Sequence, residues 1–163
     1  MLCKLFNIKI EKIRMTDPEF WQLIALIDVS ALDNSREDEA IELLEAALSS
    51  KPESELFAFE EILSQKLYCI DGEEFANNAG DSRGSADGFL YARCYVVAKG
   101  QEFFEAVKSD PNRMPKSIGQ WCEGLLYPHR VAWAGQTGND QGSWPYEATV
   151  SYETGSNQYL WPN

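Results

Sequence analysis

Through about residue 134 the apolar residues of this chain recur every three or four positions, and beyond Gly135 they recur every second one. The first spacing marks one face of an α-helix and the second a half-buried strand. One late change of period restricts the fold to a mostly α class. We expect a single compact multi-helix domain with a small two-stranded β appendage formed by the N- and C-terminal segments. The chain then divides into an N-terminal extension at 1–14, a helical domain at 15–135 and a Gly- and aromatic-rich tail with one strand at 136–163.

Local signals place the helices. Thr16 or Asp17 caps a first helix that runs to Leu32, with Pro18 in its first turn and Phe20, Ile24 and Ile27 inward. Ser35 caps a second, Arg36 to Leu48, and Ser50-Lys51-Pro52-Glu53 reads as a capping box for a third, ending near Tyr68. Its Leu56, Phe59, Leu63 and Leu67 share a face. A short piece, Glu73 to Asn78, precedes a helix from Ser85 to Lys99, and Gln101 to Lys108 continues after Gly100. Ser117 caps a last helix, Ile118 to Ala134, which Pro128 kinks or divides. In the tail, Tyr146, Ala148, Val150 and Tyr152 alternate with polar residues. Phe6, Ile8 and Ile10 do the same at the other end, and each strand otherwise lacks a partner. Residues 1–14 carry an excess of positive charge and have neither the apolar run nor the small-residue site of a secretory signal. Met15-Thr16-Asp17-Pro18 also reads as a start, which would make the upstream piece a leader.

Charge bounds the partners. With 26 acidic against 14 basic residues the net charge is −12, which disfavours direct nucleic-acid binding and suits a basic protein partner. Acidity of this kind also simply keeps a cytoplasmic protein soluble. No apolar run is long enough to cross a membrane. Cys3, Cys69, Cys94 and Cys122 are far apart with no CxxC pair, so we expect neither a metal nor a cofactor, and Cys69, Cys94 and Cys122 read as buried free thiols of a reducing compartment.

The stretch GDSRGSADGFLYAR, beginning at Gly80, is the one place with the look of an active-site loop. Asp81, Asp87 and Arg93 could form a polar pocket in which two carboxylates divide acid and base roles. The structural account is stronger. Gly80 and Gly84 turn the chain, Ser85 caps, Asp87 complements the helix dipole and Arg93 ties down the loop. His129, the only histidine, follows Pro128 and has no nearby nucleophile in sequence, and GxSxG and GxxxxGK[ST] are missing. No catalytic residue is assigned.

DPEFWQLI, GSADGFLYAR, VVAKGQEFFEAVKSDPNRM and Trp121-Cys122-Glu123 together resemble the bacterial DUF4240 family over Thr16 to Ala134. Phe20-Trp21, Ser85, Asp87-Gly88-Phe89, Arg93, Gly100, Phe104-Glu105 and Asp110-Pro111 match its pattern; Ala86 and Ala92 depart from it, where an aspartate and an aromatic are expected. The resemblance implies a helical fold and carries no activity. Some members resemble products encoded near secreted toxins, which hints at immunity proteins.

The expected function is therefore a non-enzymatic acidic binding protein, an immunity or inhibitor protein that neutralises a basic toxin such as a nuclease. The alternatives are an enzyme using the Asp81, Asp87 and Arg93 pocket, or a structural adaptor. Expected contacts are Glu37, Asp38, Glu60, Glu61, Glu73 and Glu74 on the acidic helix faces, with Trp144 and Tyr146 of the tail. Those tail aromatics serve either as interface anchors or to dock the tail on its own domain. Sequence leaves the oligomeric state open.

Overall fold

The computed structural model describes residues 15–162. Eight α-helices lie among them: α1 Asp17–Ile24, α2 Val29–Asp33, α3 Glu37–Ser49, α4 Glu53–Cys69, α5 Glu73–Asn77, α6 Ala86–Ala98, α7 Gln101–Ser109 and α8 Pro128–Thr137. The mostly helical expectation holds.

α6 is the organising element. Its GFLYARCYVVA stretch is apolar on every side, and only Tyr91 of Gly88 to Ala98 is not buried. A helix of that kind must be enclosed. α4 and α7 and the Glu123–Leu126 turn pack around it, while α3 and α8 pair beside α4. Phe20 meets Phe59 at 5.2 Å and Trp21 meets Phe104 at 5.4 Å between ring centres, so α1, α4 and α7 share one aromatic core. Among the described residues no helix is long and apolar enough to cross a membrane.

Several boundaries differ from expectation, each for a local reason. The first helix stops at Ile24 and restarts at Val29, because the Asp28 side chain accepts the Ala31 N–H at 3.0 Å and caps α2. α1 itself has a full capping box between Thr16 and Glu19. Ser35 does not cap α3: its φ of 58° puts it in the left-handed region, and Arg36 takes the capping position without a side-chain bond. Ser50 donates to Ala47 O at 2.9 Å and closes α3, so the capping box expected for α4 does not form. No helix follows Ser117, whose hydroxyl accepts Gly119 N–H in a tight turn. Pro128 opens α8 instead of kinking a longer helix, because the first helical position needs no N–H.

The expected β appendage finds no support. Among the described residues there is no strand, and the N-terminal half of the expected pair lies outside them. The alternation in the tail is real: Tyr146, Ala148, Val150 and Tyr152 are half-buried and the residues between them exposed. It is satisfied by laying a single irregular ribbon on the helices, since one inward face needs a surface to cover but not a neighbouring strand. Cys94 and Cys122 are buried free thiols as expected, but Cys69, half-buried at the end of α4, is disulfide-bonded and not a free thiol.

The Gly80–Gly84 turn is fixed by close packing and by hydrogen bonds. Gly80 has φ +56°, and a Cβ there would lie 2.1 Å from Lys116 O. Ser82 Oγ accepts Trp121 Nε1–H at 2.8 Å, and Ser85 Oγ accepts Gly88 N–H at 3.1 Å to cap α6. Asp87 is exposed in the first turn of α6. We expect Ser85→Ala to lower unfolding free energy by about 1 kcal/mol through loss of the cap. Asp87→Ala should cost about 0.3–1 kcal/mol through the helix dipole alone. Denaturant titration checks both, and a larger loss for Asp87→Ala than for Ser85→Ala would contradict the assignment.

Candidate functional site

α4 carries two consecutive glutamates, Glu60 and Glu61, and both are buried. Successive residues of an α-helix point about 100° apart, so the two carboxylates serve different neighbours. Glu60 faces α8. It accepts from His129 Nε2 and is gripped by Arg130 through Nη2 at 2.8 Å and Nε at 3.3 Å. Glu61 faces the tail. It accepts from Tyr146 OH at 2.7 Å, from Thr149 N at 2.9 Å, from the Thr149 hydroxyl and from Gln65 at 2.8 Å.

A third buried carboxylate, Asp71, lies just beyond α4. It accepts from Gly155 N at 3.1 Å, Asn157 N at 3.0 Å and Trp161 Nε1 at 3.0 Å. Its counter-charge is Arg93 of α6, 3.9 Å away, and both side chains have no exposed surface. Arg93 also donates to Leu67 O and to Thr154 Oγ1, each at 3.0 Å. Thr154 in turn donates to Ala86 O at 2.7 Å. Glu61, Asp71 and Arg93 thus hold the tail along α4 and the start of α6.

Protonation follows from these contacts. Burial pushes the Glu60 carboxyl up, but the bonds from His129 and Arg130 outweigh it and hold the acid below its ordinary value. Burial likewise opposes the Thr149, Tyr146 and Gln65 bonds at Glu61, and the bonds win. Burial pushes the His129 imidazole down and overrides the pull of Glu60. Arg130 already neutralises that carboxylate, so a second buried cation would have no counter-charge. His129 is therefore neutral, donates from Nε2, and leaves Nδ1 buried without a partner. Phe59 at 5.2 Å and Trp144 at 5.3 Å enclose its ring. Burial pushes the Cys94 thiol up to about 12 and raises Cys122 well above its ordinary value, so neither is a nucleophile at neutral pH.

The residues expected at a partner interface separate into two groups. Glu60, Glu61, Trp144 and Tyr146 are turned inward. Trp144 packs edge-on against Phe57 and Trp133, and Tyr146 stacks on Phe57 at 5.2 Å. The tail aromatics dock their own domain. Glu73 and Glu74 are exposed on α5. Glu37 and Asp38 lie at the start of α3 in an open depression of about 600 Å³, shared with Glu39, Glu123, Gly124 and Tyr127. Glu37 accepts the Gly124 N–H. Its carboxyl is raised, first by burial and then by Glu123 and Asp38, which outweigh the Gly124 bond. Arg36, the basic residue of this depression, is paired with Glu39. Asp81, Asp87 and Arg93 are not brought into one pocket: Asp81 and Asp87 are exposed, whereas Arg93 is fully buried, bonds Leu67 O and the tail's Thr154 directly, and reaches the Gly80–Asp87 loop only through Thr154, which donates to Ala86 O. Asp71 and Ser64 carried no local signal. Asp71 reads as half of an Asp-Gly turn, and its hydrogen-bond donors lie more than eighty residues away.

Among the described residues no group of His, Cys, Asp and Glu could hold a metal ion. Residues 15–132 match the model of a family described as a protein of unknown function (DUF4240). No curated protein and no solved structure matches the chain. Glu60, Glu61, Asp71, Arg93 and His129 lie inside the matched span, and the tail they hold lies beyond it.

Two outcomes follow from this geometry. Asp71→Ala leaves Arg93 without its counter-charge and three tail N–H groups without an acceptor, and should cost about 3–5 kcal/mol. Hydrogen exchange should show Gly155 and Asn157 losing protection first; retained protection there would refute the clamp. His129 should also give stability a definite pH slope. Its folded value lies below 6.5, the ordinary one, so below that pH the unfolded chain takes up a proton that the folded chain refuses. Stability should therefore fall as pH drops below about 6.5, and again below about 4.5 as unfolded glutamates protonate ahead of Glu60 and Glu61. Stability that rises between pH 7 and 5.5 would mean a charged His129.

Proposed function

We propose, for a chain that belongs to the DUF4240 family and draws no activity from that membership, a non-enzymatic role as an acidic binding protein. In this reading it is an immunity or inhibitor protein that neutralises a basic toxin domain such as a nuclease. One observation carries the reading: the depression at the start of α3. Glu37, Asp38, Glu39 and Glu123 converge there, and the one guanidinium among its lining residues is already paired. Tyr127, at 43% exposed, supplies an aromatic anchor on its edge. A negative field of this kind, on a chain of net charge −12, accelerates and orients encounter with a cationic cleft. Glu73 and Glu74 extend the same sign on α5. The buried acids Glu60 and Glu61 and the aromatics Trp144 and Tyr146 leave the list of contacts, because Glu60 is held by α8, Glu61 by the tail, and the two rings pack on the helices.

Affinity capture of the tagged protein from its native cells at low ionic strength should retain a basic protein that elutes as salt rises. With that partner in hand, Asp38→Lys should slow association by roughly tenfold and flatten the salt dependence, while dissociation changes little. Stopped-flow or surface-plasmon kinetics read both rates. Capture of no basic protein, or an association rate indifferent to Asp38→Lys, would overturn the reading.

A further inference from the structure

We propose that a second, separate cleft, between α4, the first turn of α8 and residues 146–153, is a binding site for an organic cation, an ammonium or guanidinium group. The cleft holds about 410 Å³ and opens to solvent. Glu60, Ser64 and Arg130 line it from the helices, and Tyr146, Glu147, Tyr152 and Glu153 line it from the tail.

Charge sets the class of ligand. Three carboxylates and one guanidinium line the cleft, and Glu60 takes that guanidinium through both Nη2 and Nε. Glu147 and Glu153 then remain, exposed, with no ion pair to their carboxylates among the described residues. An anion entering here meets unbalanced negative charge; a cation meets two carboxylates and the rings of Tyr146 and Tyr152, the combination that favours ammonium and guanidinium groups.

An independent observation points to a polar ligand. Ser64 is 1% exposed, and its hydroxyl has no hydrogen-bond partner. It lies one helical turn beyond Glu60 and lines the same cleft. A buried hydroxyl is normally satisfied, and an N–H of a bound cation would satisfy this one. The site does not depend on the depression at α3, and its test does not need the protein partner. The cation has two sources, a free small amine or a basic side chain of a bound protein.

The test is a nuclear magnetic resonance titration of the full chain with agmatine, in parallel with a capped arginine-containing tripeptide, and with sodium acetate at matched ionic strength as the anion control. Saturable shifts at Ser64, Arg130 and residues 146–153 are expected with a cation and not with acetate. Agmatine binding would favour a small amine, and binding of the tripeptide alone would favour a protein side chain; either supports the site. The Glu147→Gln, Glu153→Gln double variant should weaken binding roughly threefold to tenfold. Ser64→Ala should weaken it similarly while leaving the melting temperature unchanged or higher, since it removes an unpaired buried hydroxyl. No saturable shift would mean that only water meets Ser64. Wild-type affinity in both variants, or equal response to acetate, would likewise overturn the site.

Discussion

A guanidinium with no exposed surface dominates the architecture. Arg93 sits on α6, the helix enclosed on nearly every side, and cannot be deprotonated at any pH where the protein folds. Its charge must be met inside. Asp71 supplies the counter-charge, Leu67 O takes one donor at the end of α4, and Thr154 takes another from the tail. The Phe89 ring, 4.8 Å from the guanidinium carbon, covers one face. α4, α6 and the tail are therefore fastened at one point, and none of the three can shift without stranding a buried charge.

The same economy governs the acids. A chain this acidic has many carboxylates to spare for solvent, yet Glu60, Glu61 and Asp71 are spent inside. Each is fully engaged: Glu60 by His129 and Arg130, Glu61 by four donors, Asp71 by three N–H groups. Buried carboxylates of this sort specify which irregular segment may lie over them, because only a chain with N–H and hydroxyl groups at the right positions satisfies them. The tail has no ladder of its own, and its place is dictated by these side chains. Trp144 then seals the His129 ring from solvent and packs against Phe57 and Trp133. The polar interior is thus a fastening device, and the two binding surfaces proposed above, the acidic depression at α3 and the open cleft beside the tail, lie outside it.

This division bears on family membership. The interior acids and Arg93 lie within residues 15–132, whereas the groups that satisfy Glu61 and Asp71 come largely from beyond residue 145. In this chain the tail is part of the domain's polar core and not an appended extension. Trp144, Tyr146 and Trp161, which on a polar segment look like interface anchors, pack on the protein's own helices.

What the sequence determined was whatever depends on near neighbours. The apolar spacing of α3 and α4, the Thr16 and Ser85 caps and the turn at Gly80 were legible because helix pitch, caps and glycine φ act over one to four residues. The outward position of Asp38, Glu73 and Glu74 was legible for the same reason. What only the tertiary structure decided was the fate of polar groups whose partners are distant in sequence. Glu60 and Glu61 look like any acidic helix face until α8 and the tail arrive; Asp71 looks like a turn; the alternation at Tyr146–Tyr152 looks like a strand. An alternating pattern says that one face is buried, but not whether sheet or helix buries it. A carboxylate's sign and size say that it needs donors, but only the fold says whether water or a segment eighty residues away provides them.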